Sequence, residues 1–219
     1  MRNISITIII SFIFFSTNIF ASYDKSWYQW DDWSREYPVG FAVTKKDVVL
    51  MGRAEMNKDL APNIKCPMPY LAVIHPWNKA RIKTDDLQFY SFTKIQQLVA
   101  IKDFMYEENV PIKKGEVIEY LHYDSEGDFT VRIKGKEYDS GQFLFDYVRD
   151  DDGESQEDDW VQVTCLNGKR AYLYLGDLID EDKDTGLVEG VLSFTPDSYD
   201  VVHDLTEKEK SDLERAAAS

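Results

Sequence analysis

The chain has 219 residues, 43% hydrophobic and 14% aromatic, the composition of a folded globular protein rather than a disordered one. Forty Asp and Glu against 25 Lys and Arg give a net charge of −15, which argues against nucleic acid or anionic lipid as a partner, because both repel negative charge. Three His and two Cys exclude Cys-rich zinc modules and disulfide-dense scaffolds.

Met1-Arg2, the apolar run Ile4–Phe15, polar Ser16-Thr17-Asn18 and the small pair Ala21-Ser22 have the three-part layout of a secretory signal peptide over residues 1–21. The apolar run falls short of the ~20 residues a span needs, so no membrane span is expected once the leader is removed. A periplasmic or secreted location follows. Cysteines pair in such a compartment, and Cys66 with Cys165 is the one pairing available. Two separate buried thiols are the alternative, since sequence does not give distance.

Residues 22–38 carry Tyr23, Trp27, Tyr28, Trp30, Trp33 and Tyr37. Trp27, Trp30 and Trp33 would share one side of a helical turn, either as a cap packed on a domain or as a stacking platform. After Pro38-Val39-Gly40 the pattern turns β, with Val43, Val48, Val49 and Leu50 between charged turns. Asn63–Pro69 reads as a loop holding Cys66, and Tyr70–Ile74 as a short apolar run. Ile95–Ile101 is apolar with a mixed period that decides neither helix nor strand.

Phe129–Lys134 alternates as a half-buried strand, turns at Gly135-Lys136 and returns at Glu137-Tyr138. Phe143, Leu144, Tyr147 and Val148 predict a short helix capped by Asp139 or Ser140. Asp150–Asp159 holds seven acids in ten residues and reads as a solvated loop. Trp160–Cys165 alternates; with Val161, Val163 and Cys165 facing the core, Trp160 faces outward. Asn167-Gly168 predicts a hairpin turn into Ala171–Leu175. Thr206 and Glu209 have capping-box spacing for a C-terminal helix.

Ala100-Ile101-Lys102-Asp103-Phe104 resembles the opening strand of SH3 domains, Ala-Leu-Tyr-Asp-Phe/Tyr. Ile112–Leu121, with Lys113-Lys114-Gly115-Glu116, resembles their second strand, whose Gly makes a tight diverging turn. Asp159–Val163 resembles the third strand, and Gly168–Leu178 the last hairpin and closing turn. The resemblance covers about residues 98–180. Asn78–Leu87 weakly echoes Gly168–Leu178, which suggests a second copy over about 40–90; gene duplication and chance likeness of short strands both explain the echo.

The resemblance implies a mainly β protein with two small SH3-like barrels in tandem. The units are a cap over 22–38, unit 1 over 39–92, unit 2 over 93–200 with an insertion at 122–158, and a helix or tail at 201–219. SH3 domains hold Pro-rich peptides on a row of aromatic residues. Phe104 and Trp160 of that row are retained. Lys102, Tyr174 and Asp177 replace its Tyr, Pro and Tyr, so ordinary Pro-rich binding is not implied.

His75, His122 and His203 are scattered, and neither a phosphate loop nor Gly-x-Ser-x-Gly occurs. Asp180, Asp182 and Asp184 have the start of a calcium loop, but Thr185 and Val191 stand where Gly and the bidentate Glu belong. The sequence therefore leads to a non-enzymatic interaction module with no cofactor and no metal. Its expected contact residues are Phe104, Trp160, Tyr172 and Tyr174. The expected partner is a basic protein, for which an inhibitor or immunity protein against a basic toxin is one form; a cell-wall component or a hydrolase-associated role in the envelope is the alternative.

Overall fold

A computed structural model describes residues 23–78, 87–150, 156–180 and 185–195, and gives Glu207, Lys208, Ser211 and Arg215 as helical. The expected leader 1–21, Asp182 and Asp184, His203 and the capping pair Thr206 and Glu209 lie outside the described residues.

The chain is mainly β. Its first strands are β1 (Trp27–Trp30), β2 (Gly40–Val43), β3 (Val49–Gly52), β4 (Ile64–Pro67), β5 (Val73–Ile74) and β6 (Leu87–Lys94). Next come β7 (Gln96–Ala100), β8 (Phe104–Tyr106), β9 (Val110–Ile112), β10 (Val117–Ser125), β11 (Asp128–Ile133), β12 (Lys136–Ser140) and β13 (Val148–Asp150). The last are β14 (Glu157–Thr164), β15 (Arg170–Tyr174), β16 (Ile179–Asp180), β17 (Thr185–Gly186) and β18 (Val191–Phe194).

Two larger cores divide these strands. One contains Phe41, Leu50, Cys66, Phe89, Val161, Val163, Leu173 and Val191. It lies among the four-stranded sheet β1-β6-β14-β15, the three-stranded sheet β18-β2-β5 and the hairpin β3-β4. The other contains Leu98, Tyr106, Ile118, Phe129, Val131, Ile133 and Leu144. It is enclosed by the sheet β12-β11-β10-β7-β13 and the hairpin β8-β9. The second module, residues 96–150, is thus nested inside the first. β6 leads into it, β14 leaves it, and those two strands pair from Glu157↔Thr93 to Val163↔Leu87.

The strand pairing runs across the expected boundaries. A division at residue 92 would cut β6 from β14, although Phe89 and Val161 oppose each other and fill the same core. Residues 122–158, expected as an insertion, supply β11, β12 and β13 to the sheet that also holds β7 and β10. β14 and β15, grouped above with residues 98–121, belong to the outer module.

The local sequence explains most elements. Phe129, Val131 and Ile133 are buried while their neighbours are half-exposed or exposed, the alternation of a strand with one face on a core. Gly115 and Gly168 have φ of +87° and +74°, the left-handed region that glycine enters without steric cost. Gly115 turns the chain between β9 and β10, and Gly168 turns it between β14 and β15. Asp103 fixes the first of these turns by accepting from the Lys114 backbone N–H at 2.9 Å. The mixed apolar run resolves as strand β7, and the predicted helix after Ser140 is a 3-10 turn, Gln142–Asp146.

Two local readings are overturned, and the expected cysteine pairing is borne out. Trp27 and Trp30 lie on strand β1, not a helical turn, and Trp33 follows in a loop and reaches the first core. Cys66 lies on β4, an edge strand of the two-stranded sheet β3-β4, where Pro67 is tolerated. Cys66 and Cys165 are bonded, with Cα atoms 4.9 Å apart.

Candidate functional site

β14 opens with Glu157, Asp158 and Asp159, residues the sequence places in a solvated acidic loop. They are paired strand residues, and Asp158 and Asp159 are each only 4% exposed. Alternation sends Asp158 to the Trp160 face of the strand, and Glu157 and Asp159 to the Val161 face.

On the Trp160 face, the Asp158 carboxylate accepts from Lys58 Nζ at 2.6 Å, Tyr174 Oη at 2.7 Å and Tyr23 Oη at 3.1 Å. Trp160 Nε1 donates to Tyr23 Oη at 2.7 Å. Burial and the nearby carboxylate push the Tyr23 and Tyr174 hydroxyls above the usual phenol range. Both therefore remain neutral donors. On the other face, Arg35 Nε donates to Glu157 at 3.0 Å and Arg35 Nη2 to Asp159 at 3.4 Å. Ser34 donates to Glu157 at 3.1 Å, and Ser91 donates to Asp159.

These groups border a cleft of about 760 Å³ between the two modules. The outer module contributes Trp27, Arg35, Lys58, Glu157 and Asp158, and β10 contributes Tyr120 and Tyr123. The segment that includes β1 joins the two sides. β1 pairs with β6 from Trp27↔Lys94 to Trp30↔Ser91. Trp30 stacks on the buried His122 of β10 at 4.4 Å between ring centres, and Ser34 Oγ lies 3.1 Å from the Tyr123 carbonyl oxygen. The lining is mixed: the rings of Trp27, Tyr120 and Tyr123 stand among charged, hydroxyl and amide groups.

The expected contact residues separate into two groups. Trp160, Tyr172 and Tyr174 gather in a small aromatic cluster with Met56 and Phe92. Trp160 is fully buried, which corrects its expected outward position. Tyr174 lies 5.0 Å to one side of it, the Arg53 guanidinium lies 5.5 Å from its ring, and Tyr23 takes its N–H. Both faces of β14 are covered, so the alternation that puts Val161 inward does not expose Trp160. Phe104 is elsewhere, in the nested module, stacked on Tyr147 at 4.6 Å, with the Lys102 ammonium 4.3 Å from the Tyr147 ring centre.

Sequence reasoning missed Tyr23, Arg35, Lys58, Tyr120 and Tyr123. The available signal was the run of three acids heading an alternating strand, since buried carboxylates require donors from elsewhere in the chain. His75 is a satisfied core residue. Its Nε2–H donates to the Pro38 carbonyl at 2.8 Å, and burial pushes its pKa down to about 4. Among the described residues, no three His, Cys, Asp or Glu side chains converge as a metal site requires.

No family model matches the chain, and neither a curated protein nor a solved structure matches it.

Proposed function

We propose that the chain is an exported, non-enzymatic interaction protein that captures a basic protein partner. An inhibitor or immunity protein against a basic toxin is its concrete form. The observation that carries this reading is the cleft between the modules: aromatic walls beside a fixed pair of carboxylates, on a protein of net charge −15. Such a charge steers a basic partner toward the protein, and desolvated aromatic contacts then supply hot-spot energy.

The SH3-like reading is retained with changed boundaries. In residues 96–150 it is supported by the order of β7, the hairpin β8-β9, the meander β10-β11-β12, a 3-10 turn and β13 returning to β7. The outer module has a parallel order: β2, β6, β14, β15, the 3-10 turn Leu175–Asp177, and β18 returning to β2. On this reading one barrel is inserted in the other. The signal-peptide layout of the sequence over residues 1–21 supports a periplasmic or secreted location.

The test is affinity capture from cell envelope and culture fluid on the immobilised protein. Basic proteins retained at low salt and released at high salt support the reading. A cell-wall component is the second reading, favoured by the amide, carboxylate and ring groups in one cleft. Retention of purified wall, unchanged by salt, would establish it instead.

A further inference from the structure

The cleft has unused capacity of one chemical kind. Its cations are engaged: Arg35 bridges Glu157 and Asp159, and Lys58 pairs with Asp158 and lies 5.4 Å from the Trp27 ring centre. Its acceptors are not exhausted. A carboxylate has about four lone-pair sites. Among the described residues Glu157 receives Ser34 on one oxygen and Arg35 on the other. The Tyr120 hydroxyl, in the same cleft, has no hydrogen-bond partner among the described residues. Burial, then the charges of Glu157 and Asp124, push that hydroxyl above the usual phenol range, so it stays neutral. Asp159 behind Arg35 and Asp124 beyond Tyr120 leave the surroundings with more negative than positive charge. A ligand anion would have to break an existing ion pair, whereas a cationic multiple donor would meet open acceptors and aromatic rings.

We propose that the cleft seats a cationic side chain of the basic partner, an arginine above all, with Glu157 and the Tyr120 hydroxyl as its acceptors. This rests on the proposed function and adds the group recognised and the residues that recognise it. A planar guanidinium suits the seat better than an ammonium because its fork of donors reaches two acceptors at once.

The probe is a hexa-arginine peptide titrated calorimetrically into the purified protein at low salt. The parallel titrants are hexa-lysine and a neutral N-acetylhexosamine oligomer. Glu157→Gln and Tyr120→Phe should each weaken hexa-arginine binding about tenfold, and Glu189→Gln, an exposed acid paired with Lys45, by less than about twofold. Tyr120→Phe keeps the ring, so it gives a result even if Glu157→Gln loosens the fold around Arg35. Equal losses for Glu157→Gln and Glu189→Gln would overturn the seat and leave only diffuse attraction. Binding of the neutral oligomer without hexa-arginine would overturn it in favour of a glycan. A basic partner retained equally by wild type, Glu157→Gln and Tyr120→Phe would overturn the seat while leaving the proposed function standing.

Discussion

Asp158 accepts three donors, and their removal separates cost from burial. Tyr174→Phe keeps the ring and deletes one hydrogen bond to a carboxylate, so urea denaturation should show a loss of about 1.5–3 kcal/mol. Tyr172→Phe, in the same aromatic cluster but with no comparable bond from its hydroxyl among the described residues, should cost less than about 0.5 kcal/mol. Trp160→Ala empties a fully buried site and should cost about 3–5 kcal/mol. Equal losses for the two tyrosines would contradict the network. The seven acids of 150–159 were legible, but their roles were not. Asp158 and Asp159 read as solvated because the sequence does not reveal Lys58, Arg35 or Tyr23, brought to them from 100 or more residues away.

His75 carries a pH prediction. Its folded pKa is about 4 against 6.5 for the free side chain. Between these values the unfolded chain binds the extra proton, so stability falls as pH drops through that window. At about 1.4 kcal/mol per unit, the loss from this residue approaches roughly 3 kcal/mol. His75→Gln should flatten the stability profile between those pH values, as followed by denaturation at each pH. Superimposable profiles would contradict a buried neutral imidazole.

At the scale of elements, periodicity predicted what depends on neighbours in sequence and failed where distant strands decide. β11, β12, β14 and β15 were legible, because alternation and the Gly turns are local signals. β1 was not: Trp at every third position fits a helical turn, yet pairing with β6 draws it into a strand. The disulfide ties β4 to the end of β14 across 99 residues. Replacing both cysteines by Ala should cost about 4–5 kcal/mol in the chain-entropy account, measured against the oxidised protein. A loss below about 1 kcal/mol would mean that the denatured chain is already held compact.

For the whole molecule, nesting sets the geometry of the cleft. β6 and β14 lie side by side where the nested module leaves and rejoins, with the Lys94 N–H donating to the Gln156 carbonyl at 2.8 Å. Replacing residues 96–155 by a short Gly-containing turn should therefore leave the outer core and its disulfide folded while abolishing the cleft. Loss of cooperative unfolding in that shortened protein would show that the modules fold only together. The sequence could not reveal this topology, because short SH3-like motifs mark strands without saying which strands share a sheet.

The most direct test is what the purified protein retains from envelope and culture fluid, compared with Glu157→Gln at low and high salt. The expected result is a basic protein held by the wild type, released as salt rises and held more weakly by the variant. Retention of wall glycan alone, indifferent to salt and to the substitution, would contradict it.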